Sequence, residues 1–314
     1  MTTLFFQADA DLQSQLDAVL DATWAAFPTL ANNQIAVTWV CYPAPFAINT
    51  GGALNPLTFW EQRPPGASYR GVELIYPASV VKLFYLVALQ EWLERDMVQS
   101  GPELERAMTD MIVDSSNDAT SYVIDVLTGT TSGPELPTGP FETWQQQRNL
   151  VNRYLASLQW PELSTVNVNQ KTWCDGPYGR ERAFLGPAYD NRNMLTTNAV
   201  ARLIHSIVGG VSISAERSHA MMRLMRRDLT DAALRDDPEN PITRFLGAAL
   251  PTSTAQWSKA GWTSRVHHDA AYIECDGKVP YLLVIFTEGQ SAEDNRRILP
   301  FMSAEILKVV PSLG

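Results

Sequence analysis

Strand-forming segments lie near both ends of this chain, and the long stretch between them has helical periodicity. Residues 34–42, near the N-terminus, and 270–274 and 281–287, near the C-terminus, are rich in β-branched and aromatic residues. The apolar run after Pro77 is too long for a strand and predicts a buried helix. We therefore expect strands and outer helices from the two ends and a helical insert from the middle.

The remaining predicted elements agree with strands near the two ends and helices in the middle. Residues 57–62 follow a Gly-Gly pair and have the composition of a strand that would pair with 34–42. A loop rich in Gly, Pro and Thr at 128–140 and a segment of little periodicity at 160–193 interrupt the helical middle. The other predicted helices are 9–27, 104–127 (as one or two helices), 141–158, 196–208, 215–228 and 304–310.

Size and charge restrict the class of protein. The chain has 314 residues, of which 45% are hydrophobic and 18% charged, as in an ordinary globular protein of one or two structural units. Its formal net charge of −10 argues against nucleic acid or a membrane surface as the main partner, because both reward clustered Lys and Arg. No apolar run approaches the length of a membrane helix, and no Lys or Arg precedes Arg63 as in a secretory signal, so we expect a cytoplasmic protein.

The residue types that bind metals do not form a recognisable site. Cys41, Cys174 and Cys275 have no metal-ligand spacing, and their odd number does not suggest a disulfide framework, so we expect buried thiols. His267 and His268 are adjacent in a strand-like segment, where neighbouring side chains point to opposite faces. We therefore predict no metal and no cofactor.

A serine and a lysine at the start of the helix after Pro77 are the first candidates for chemistry. The i, i+3 spacing of Ser79 and Lys82 puts both side chains on one helical face, so they can meet across one turn. A serine hydroxyl is a poor nucleophile at neutral pH and needs such a base nearby. The N–H groups and positive dipole end at a helix start would favour negative charge on a reacting oxygen. Alone, the pair is a weak signal because both residue types are common.

Two further short motifs follow. The first reads S-S-N at residues 115–117, and the second reads K-A-G at residues 259–261. Each has an ordinary structural alternative, because Ser and Asn favour helix caps and Gly favours turns on their own account. Those alternatives are a helix cap or turn for Ser115 and Asn117, a solvated strand end for Lys259, and a turn or bulge for Gly261.

Taken in this order, the three motifs resemble S-x-x-K, S-x-N and K-x-G of the class A beta-lactamases and penicillin-binding proteins. The likeness extends over PASVVKL, MIVDSSNDAT, MLTTNAVARL, SKAGWTSRVHHDAAYI and YLLVIFTEG. It implies an α/β fold of the α+β sandwich type, in which an antiparallel sheet built from both chain ends is flanked by helices and an all-helical domain is inserted. The sandwich domain would comprise residues 1–75 and 209–314, and the helical domain 76–208.

The resemblance implies a catalytic role for four residues. Ser79 would be the acylated nucleophile, Lys82 its base or proton relay, and Ser115 the residue that passes a proton to the leaving nitrogen. Glu181 lies near the position, a short way ahead of Thr196, where relatives have the carboxylate that activates water for deacylation. The family motif around that carboxylate is absent here, and the alternative for Glu181 is a solvated loop carboxylate.

Two departures from the family pattern bear on the substrate. Ser116 stands where relatives have Asp, and Ala260 stands where they have the Thr or Ser whose hydroxyl helps to hold a beta-lactam carboxylate. An arginine is suited to a bidentate contact with a carboxylate, so nearby residues could compensate. The implied substrate-binding residues are Asn117, Lys259, Gly261, Trp262, Thr263 and Arg265, with the N–H groups of Ser79 and Trp262 forming the oxyanion hole.

The function implied is that of a serine hydrolase that forms an acyl-enzyme on Ser79 from a cyclic or linear amide. Its partner would be a small-molecule amide or ester, with a beta-lactam among the candidates. Alternatives on the same architecture are a D-alanyl-type peptidase, an esterase and a glutaminase. A non-enzymatic alternative, motivated by the missing motif around Glu181, is a protein that binds such a ligand or a sensor that is acylated without turnover.

Overall fold

The computed structural model describes residues 4–173, 175–230, 242–289 and 292–313. Two of the three cysteines, Cys41 and Cys275, are buried free thiols, and Cys174 lies outside the described residues. Burial raises the pKa of the Cys41 thiol to about 12, which keeps it protonated and unreactive at neutral pH.

The chain forms two compact units, and the second is an insert in the sequence of the first. The first unit comprises Met1–Glu73 and Thr196–Gly314, and the second comprises Leu74–Leu195. The insert therefore ends at 195, before the predicted position 208. The difference arises from the helix Thr197–Val208, which we expected in the helical domain but which packs against strands of the first unit.

One sheet forms the centre of the first unit. Its described strands are β1 (Gln7–Ala8), β2 (Ile35–Cys41), β3 (Pro65–Tyr69), β4 (Arg226–Arg227), β5 (Ala255–Trp262), β6 (Val266–Glu274) and β7 (Tyr281–Glu288). They lie in the order β1-β3-β2-β7-β6-β5-β4, with β1 parallel to β3 and the other pairs antiparallel. Because β2 pairs with β7, strands from the two ends of the chain meet in the middle of the sheet.

The helical middle of the chain is confirmed. The α-helices of the described residues are α1 (Ala10–Ala26), α2 (Pro56–Glu61), α3 (Lys82–Glu94), α4 (Pro102–Ile112), α5 (Asn117–Thr128), α6 (Thr138–Arg148), α7 (Leu150–Ser157), α8 (Gly179–Leu185), α9 (Thr197–Val208), α10 (Ala215–Met225) and α11 (Ala292–Val309). Helices α3 to α8 belong to the second unit and the others to the first.

Helices cover both faces of the sheet. Neighbouring residues on a strand point to opposite faces, and on β2 the pair Thr38 and Trp39 shows what covers each. Trp39 lies in an apolar cluster with Leu16 of α1, beside α11. Thr38 donates from Oγ1 to Oδ1 of Asn198 on α9, at 2.7 Å. The result is a sheet between α1 with α11 and α9, as expected for an α+β sandwich.

One predicted strand is wrong. Residues 57–62, expected to pair with β2, form most of helix α2, and β2 pairs with β3 instead. The helix starts because Oδ1 of Asn55 accepts the N–H of Leu57 at 2.9 Å, and because Pro56 occupies the first helical position. A second difference is smaller: the predicted helix 141–158 is two helices, α6 and α7, on either side of Asn149.

The second unit is built around helix α3. Every residue of α3 from Lys82 to Leu93 is buried, and the helix packs against α4, α5 and α7. Its uninterrupted apolar sequence, which predicted a buried helix, is explained by these contacts on several sides. The only charged side chains it carries in this buried stretch are Lys82 and Glu91.

Asparagine side chains organise the segment 160–193, which had little periodicity in the sequence. Asn169 Nδ2 donates to Oδ1 of Asn191 at 2.8 Å and to Oδ1 of Asn167 at 2.9 Å. Oδ1 of Asn193 accepts the N–H groups of Asn169 and Gln170, both at 2.9 Å. The Asn-x-Asn stretches 167–169 and 191–193 are therefore joined by side-chain hydrogen bonds and not by a regular backbone ladder. Such bonds need no hydrophobic periodicity, which explains why the sequence shows none here.

Candidate active site

Ser79 lies in a 3-10 turn, Ala78–Val81, that leads directly into helix α3 at Lys82. The residue before it, Ala78, has a φ of +45°, a conformation that non-glycine residues rarely adopt. Ser79 itself is half-buried, whereas Lys82 is fully buried with 0% exposure. The predicted position of Ser79 at a helix start is therefore correct, with the first turn tightened to 3-10 geometry.

Lys82 joins the first motif to the second within this unit. Its Nζ donates to the carbonyl oxygen of Ser115 at 2.5 Å and to Oδ1 of Asn117 at 2.9 Å, and it lies 3.3 Å from Oγ of Ser115. A buried ammonium or amine requires such partners, because leaving it without hydrogen bonds is costly. The sequence places these residues more than thirty positions apart, and the fold brings their polar atoms around one nitrogen.

The helix cap in the second motif is Ser116 and neither of its neighbours. Oγ of Ser116 accepts the N–H of Ala119 at 3.2 Å, at the start of α5. Ser115, with a φ of +56°, and Asn117 turn their polar atoms to Lys82 instead. Aspartate and serine are both good N-cap residues, so Ser116 can serve this helix in place of the family's Asp.

The third motif lies on strand β5 of the first unit. Lys259 is buried, with 1% exposure, and its Nζ donates to the carbonyl oxygen of Ala260 at 2.9 Å. Ala260 belongs to the apolar cluster that contains Ala271 and Ile273 of β6. Lys259 and Ala260 are adjacent on a strand, so their side chains leave opposite faces of the sheet. The solvated strand-end alternative for Lys259 is wrong.

The end of β5 exposes one side of its backbone. The N–H of Thr263 donates to the carbonyl oxygen of Val266 at 2.9 Å, and such pairs alternate along an antiparallel ladder. The backbone N–H and C=O of Trp262 therefore point away from β6. Strand β4 pairs with β5 at Gln256 and Trp257, and none of the described strands covers that edge further along.

Trp262, Thr263 and Arg265 surround the β5–β6 hairpin turn. Trp262 is 47% exposed and Arg265 is also exposed, while Thr263 is half-buried. Oγ1 of Thr263 accepts the N–H of Arg265 at 3.1 Å, which fixes the turn. Gly261, next to Trp262, is buried within the strand opposite His268, so its alternative as a turn residue is wrong.

Glu181 is neither solvated nor on a loop. It lies in helix α8 with 2% exposure, and its carboxylate forms a two-point contact with Arg148 of α6. Arg148, which belongs to none of the three motifs, is fully buried. Arg148 lies inside the predicted helix 141–158, where an arginine is an ordinary helix former, so the sequence carried no signal that would have found it.

A buried carboxyl group on β6 was also missed. Asp269 lies opposite Ala260 and accepts the N–H of Leu246 at 3.1 Å. Burial raises the pKa of Asp269 to about 6, while backbone hydrogen bonds and the charges of Arg227 and Lys259 act in the opposite direction. Its signal in the sequence was an Asp directly before the apolar residues 270–273.

The two adjacent histidines have separate partners. Nε2 of His267 lies 2.9 Å from the carbonyl oxygen of Arg244, and Nδ1 of His268 accepts the N–H of Thr287 at 3.2 Å. Among the described residues, no group of three or more His, Cys, Asp or Glu side chains could hold a metal ion. Within the same part of the chain, no helix has the length and apolar character needed to cross a membrane.

A family model matches most of the chain. The model, described as the Beta-lactamase enzyme family, matches residues 93–310. The match includes the second and third motifs and begins after Ser79 and Lys82. No curated protein sequence matches the chain.

Solved structures share the fold at low identity. A beta-lactamase from Sphaerobacter thermophilus is 16% identical, with a TM-score of 0.63 over 94% of this chain and 98% of that one. A protein named PBP-A is 16% identical, with a TM-score of 0.62 over 98% of both chains. A mutant of PBP-A, solved as an acyl-enzyme complex with penicillin G, is 15% identical, with a TM-score of 0.63 over 96% of this chain and 97% of that one.

Proposed function

The chain belongs to the beta-lactamase enzyme family, and on that premise we propose that it is a serine hydrolase that forms an acyl-enzyme on Ser79. The observation that carries the proposal is the set of contacts around the buried Nζ of Lys82, which gathers polar atoms of Ser115 and Asn117 beside the turn that holds Ser79. A buried lysine beside a serine can act as the base that accepts the proton of the serine hydroxyl and can later return it.

The proposed reaction begins with attack of Ser79 Oγ on the substrate's carbonyl carbon. Lys82 takes the hydroxyl proton, the carbonyl oxygen becomes an oxyanion, and a tetrahedral intermediate forms. Ser115, whose Oγ lies 3.3 Å from Nζ, then passes a proton to the leaving nitrogen or oxygen. The bond from carbon to the leaving group breaks, and an ester to Ser79 remains. Each proton transfer of this kind contributes about 10²–10⁴-fold to a rate.

The resemblance gives the start of α3 an N–H group for the oxyanion and gives the end of strand β5, in the other unit, groups for the oxyanion and for a substrate carboxylate. We assign the N–H groups of Ser79 and Trp262 to the oxyanion, which the outward orientation of the Trp262 backbone supports. Lys259 and Arg265 would attract a carboxylate, with Thr263 contributing its hydroxyl. Asn117 would hydrogen-bond the substrate's acylamino group, and Gly261 would let it approach the strand.

A beta-lactam or another small amide or ester is the substrate class we propose. The acyl-enzyme complex with penicillin G belongs to the mutant of PBP-A, and it motivates the choice of penicillin G as first probe. A second candidate, a penicillin-binding or sensor protein that is acylated without turnover, is favoured by one observation. The carboxylate of Glu181, to which the resemblance would give the activation of water, is engaged by Arg148.

Intact-protein mass spectrometry after mixing with penicillin G tests the proposal. The wild type is expected to gain the mass of one penicillin, and Ser79→Ala is expected to gain none while keeping its circular dichroism spectrum. An adduct that disappears once penicillin is exhausted indicates a hydrolase, and one that persists indicates the second candidate. Labelling of Ser79→Ala at the wild-type rate, or no labelling of the wild type by penicillin G or by an activated ester, would overturn acylation on Ser79.

A further inference from the structure

Four charged side chains form a closed network in the second unit, in which three are buried and Asp125 is half-buried. They come from α5 (Asp125), α6 (Arg148), the segment before α8 (Lys171) and α8 itself (Glu181). Two are cations and two are anions, so their formal charges cancel. Ser132 completes the ring as a fifth, uncharged member.

The contact between Arg148 and Glu181 uses both oxygens of the carboxylate. Nη2 of Arg148 lies 2.7 Å from Oε1 of Glu181, and Nη1 lies 3.1 Å from Oε2. Oγ of Ser132 also donates to Oε1, at 2.8 Å. Three donors thus engage one buried carboxylate in the two-point geometry that is the strongest available to an arginine.

Asp125 and Lys171 close the ring. Nζ of Lys171 lies 2.7 Å from Oδ1 and 2.8 Å from Oδ2 of Asp125, and it donates to Oγ of Ser132 at 3.0 Å. Arg148 Nη2 approaches Oδ1 of Asp125 at 3.6 Å. Ser132 therefore accepts from Lys171 and donates to Glu181, which matches the one donor and the lone pairs of a hydroxyl.

Burial makes this network dependent on every member. Desolvation is the main cause that raises the pKa of Asp125 and lowers the pKa of Lys171, and the hydrogen bond and charge between the two residues act in the opposite direction. Removing one partner from a buried ion pair leaves an uncompensated charge, which is far more costly than removing both.

We propose that Glu181 anchors the segment 160–193 to helix α6 at Arg148 and to the loop after α5 at Ser132, and is not the base that activates water for deacylation. A general base must accept a proton in the transition state. If Glu181 did so, the guanidinium of Arg148, which has 0% exposure, would lose the carboxylate charge that it contacts at two points and would keep only the longer contact with Asp125, at 3.6 Å. The inference rests on the proposed function only in its statement about deacylation; the anchoring role stands on the contacts alone.

A thermal double-mutant cycle tests the anchoring role. Glu181→Gln and Arg148→Gln are each expected to lower the melting temperature by about 10 °C, as for a broken buried ion pair in a unit of this size. The double variant is expected to lose less than the sum of the two single variants. Glu142→Gln, which changes an exposed carboxylate on α6, is the matched control and is expected to leave the melting temperature unchanged. Additive losses, or a stable Glu181→Gln, would overturn the inference.

The lifetime of the penicillin G adduct tests the statement about deacylation. At a temperature where each variant is folded, Glu181→Gln is expected to release its adduct within about twofold of the wild-type rate. The pH profile of release between about pH 5 and pH 8 is expected to be the same in both. Ser132→Ala, a milder change in the same ring, repeats the test if Glu181→Gln does not fold. A release slowed by about 100-fold or more in Glu181→Gln would overturn it.

The two proposals fail separately. A wild type that forms no Ser79-dependent adduct contradicts the proposed function, while the thermal cycle on Arg148 and Glu181 still decides the anchoring role. A normal adduct together with additive melting-temperature losses contradicts the anchoring role alone.

Discussion

Nζ of Lys82 donates to Oδ1 of Asn117 at 2.9 Å, so the first residue of helix α3 is hydrogen-bonded to the first residue of helix α5. The backbone N–H of Lys82 donates to the carbonyl oxygen of Ser79, so α3 continues directly from the 3-10 turn. The contact places a buried basic group beside the turn that contains Ser79.

Lys82→Met is expected to slow acylation of Ser79 by about 10²–10⁴-fold, because the serine loses the group that takes its proton. Rates are measured as the growth of the penicillin G adduct by intact-protein mass spectrometry. Lys308→Met, which removes an exposed lysine of α11, is the control and is expected to react like the wild type. An Lys82→Met variant that is acylated at the wild-type rate would rule out Lys82 as the base.

Ser116→Ala is expected to lower the free energy of unfolding by about 1 kcal/mol, because α5 loses its N-cap hydrogen bond to Ala119. Ser116→Asp is expected to stay within about 0.5 kcal/mol of the wild type, since aspartate caps as well as serine and its charge suits the helix dipole. Urea unfolding of the three proteins gives the comparison. If Asp proved as destabilising as Ala, the capping role would be contradicted.

Ala260→Thr, which restores the hydroxyl found at this position in relatives, is expected to lower the free energy of unfolding by about 1–3 kcal/mol. The reason is that Ala260 packs in the apolar cluster with Ala271 and Ile273. Ala255→Thr, at the half-buried start of the same strand, is the matched control and is expected to be nearly neutral. A stable Ala260→Thr variant with faster acylation by a carboxylated substrate would refute this explanation.

Acid is expected to destabilise the first unit through His205. Burial, with a smaller contribution from Arg202, lowers the pKa of His205 to about 3. The unfolded chain binds the proton near pH 6.5 and the folded chain does not, so stability is complete above that pH and falls towards pH 3, by up to about 1.4 kcal/mol per pH unit. His267, with its pKa lowered to about 4, acts in the same direction.

Urea unfolding at about pH 7.5 and about pH 5 measures the effect. The loss of stability on acidification is expected to be about 1–2 kcal/mol smaller in His205→Gln than in the wild type. His219→Gln, which changes an exposed histidine of α10, is the matched control. Asp269 contributes to the pH dependence of stability with the opposite sign. Its raised pKa of about 6 makes the folded state hold a proton that the unfolded state releases, so this contribution favours the folded state as the pH falls. If His205→Gln lost as much stability on acidification as the wild type, His205 would not be a cause of the acid sensitivity.

Elements with strong local patterns could be predicted from the sequence. The apolar stripe of α1, the β-branched run of β2 and the apolar run of α3 each correspond to an observed element. The wrong strand prediction at 57–62 has a local cause, because so short an aromatic stretch shows no periodicity that separates a strand from a helix. The N-cap hydrogen bond of Asn55 favours the helix. The break at Asn149 likewise has no Gly or Pro to mark it.

The sequence by itself determined which residue types occupy the three motifs and which stretches are helix or strand, because these depend on neighbours a few positions apart. Only the tertiary structure decided that Ser116 caps a helix while Ser115 and Asn117 turn to Lys82, and that Glu181 is paired with Arg148. Such contacts join residues far apart in the chain, and a buried charge acquires its partner only when the fold removes water from around it.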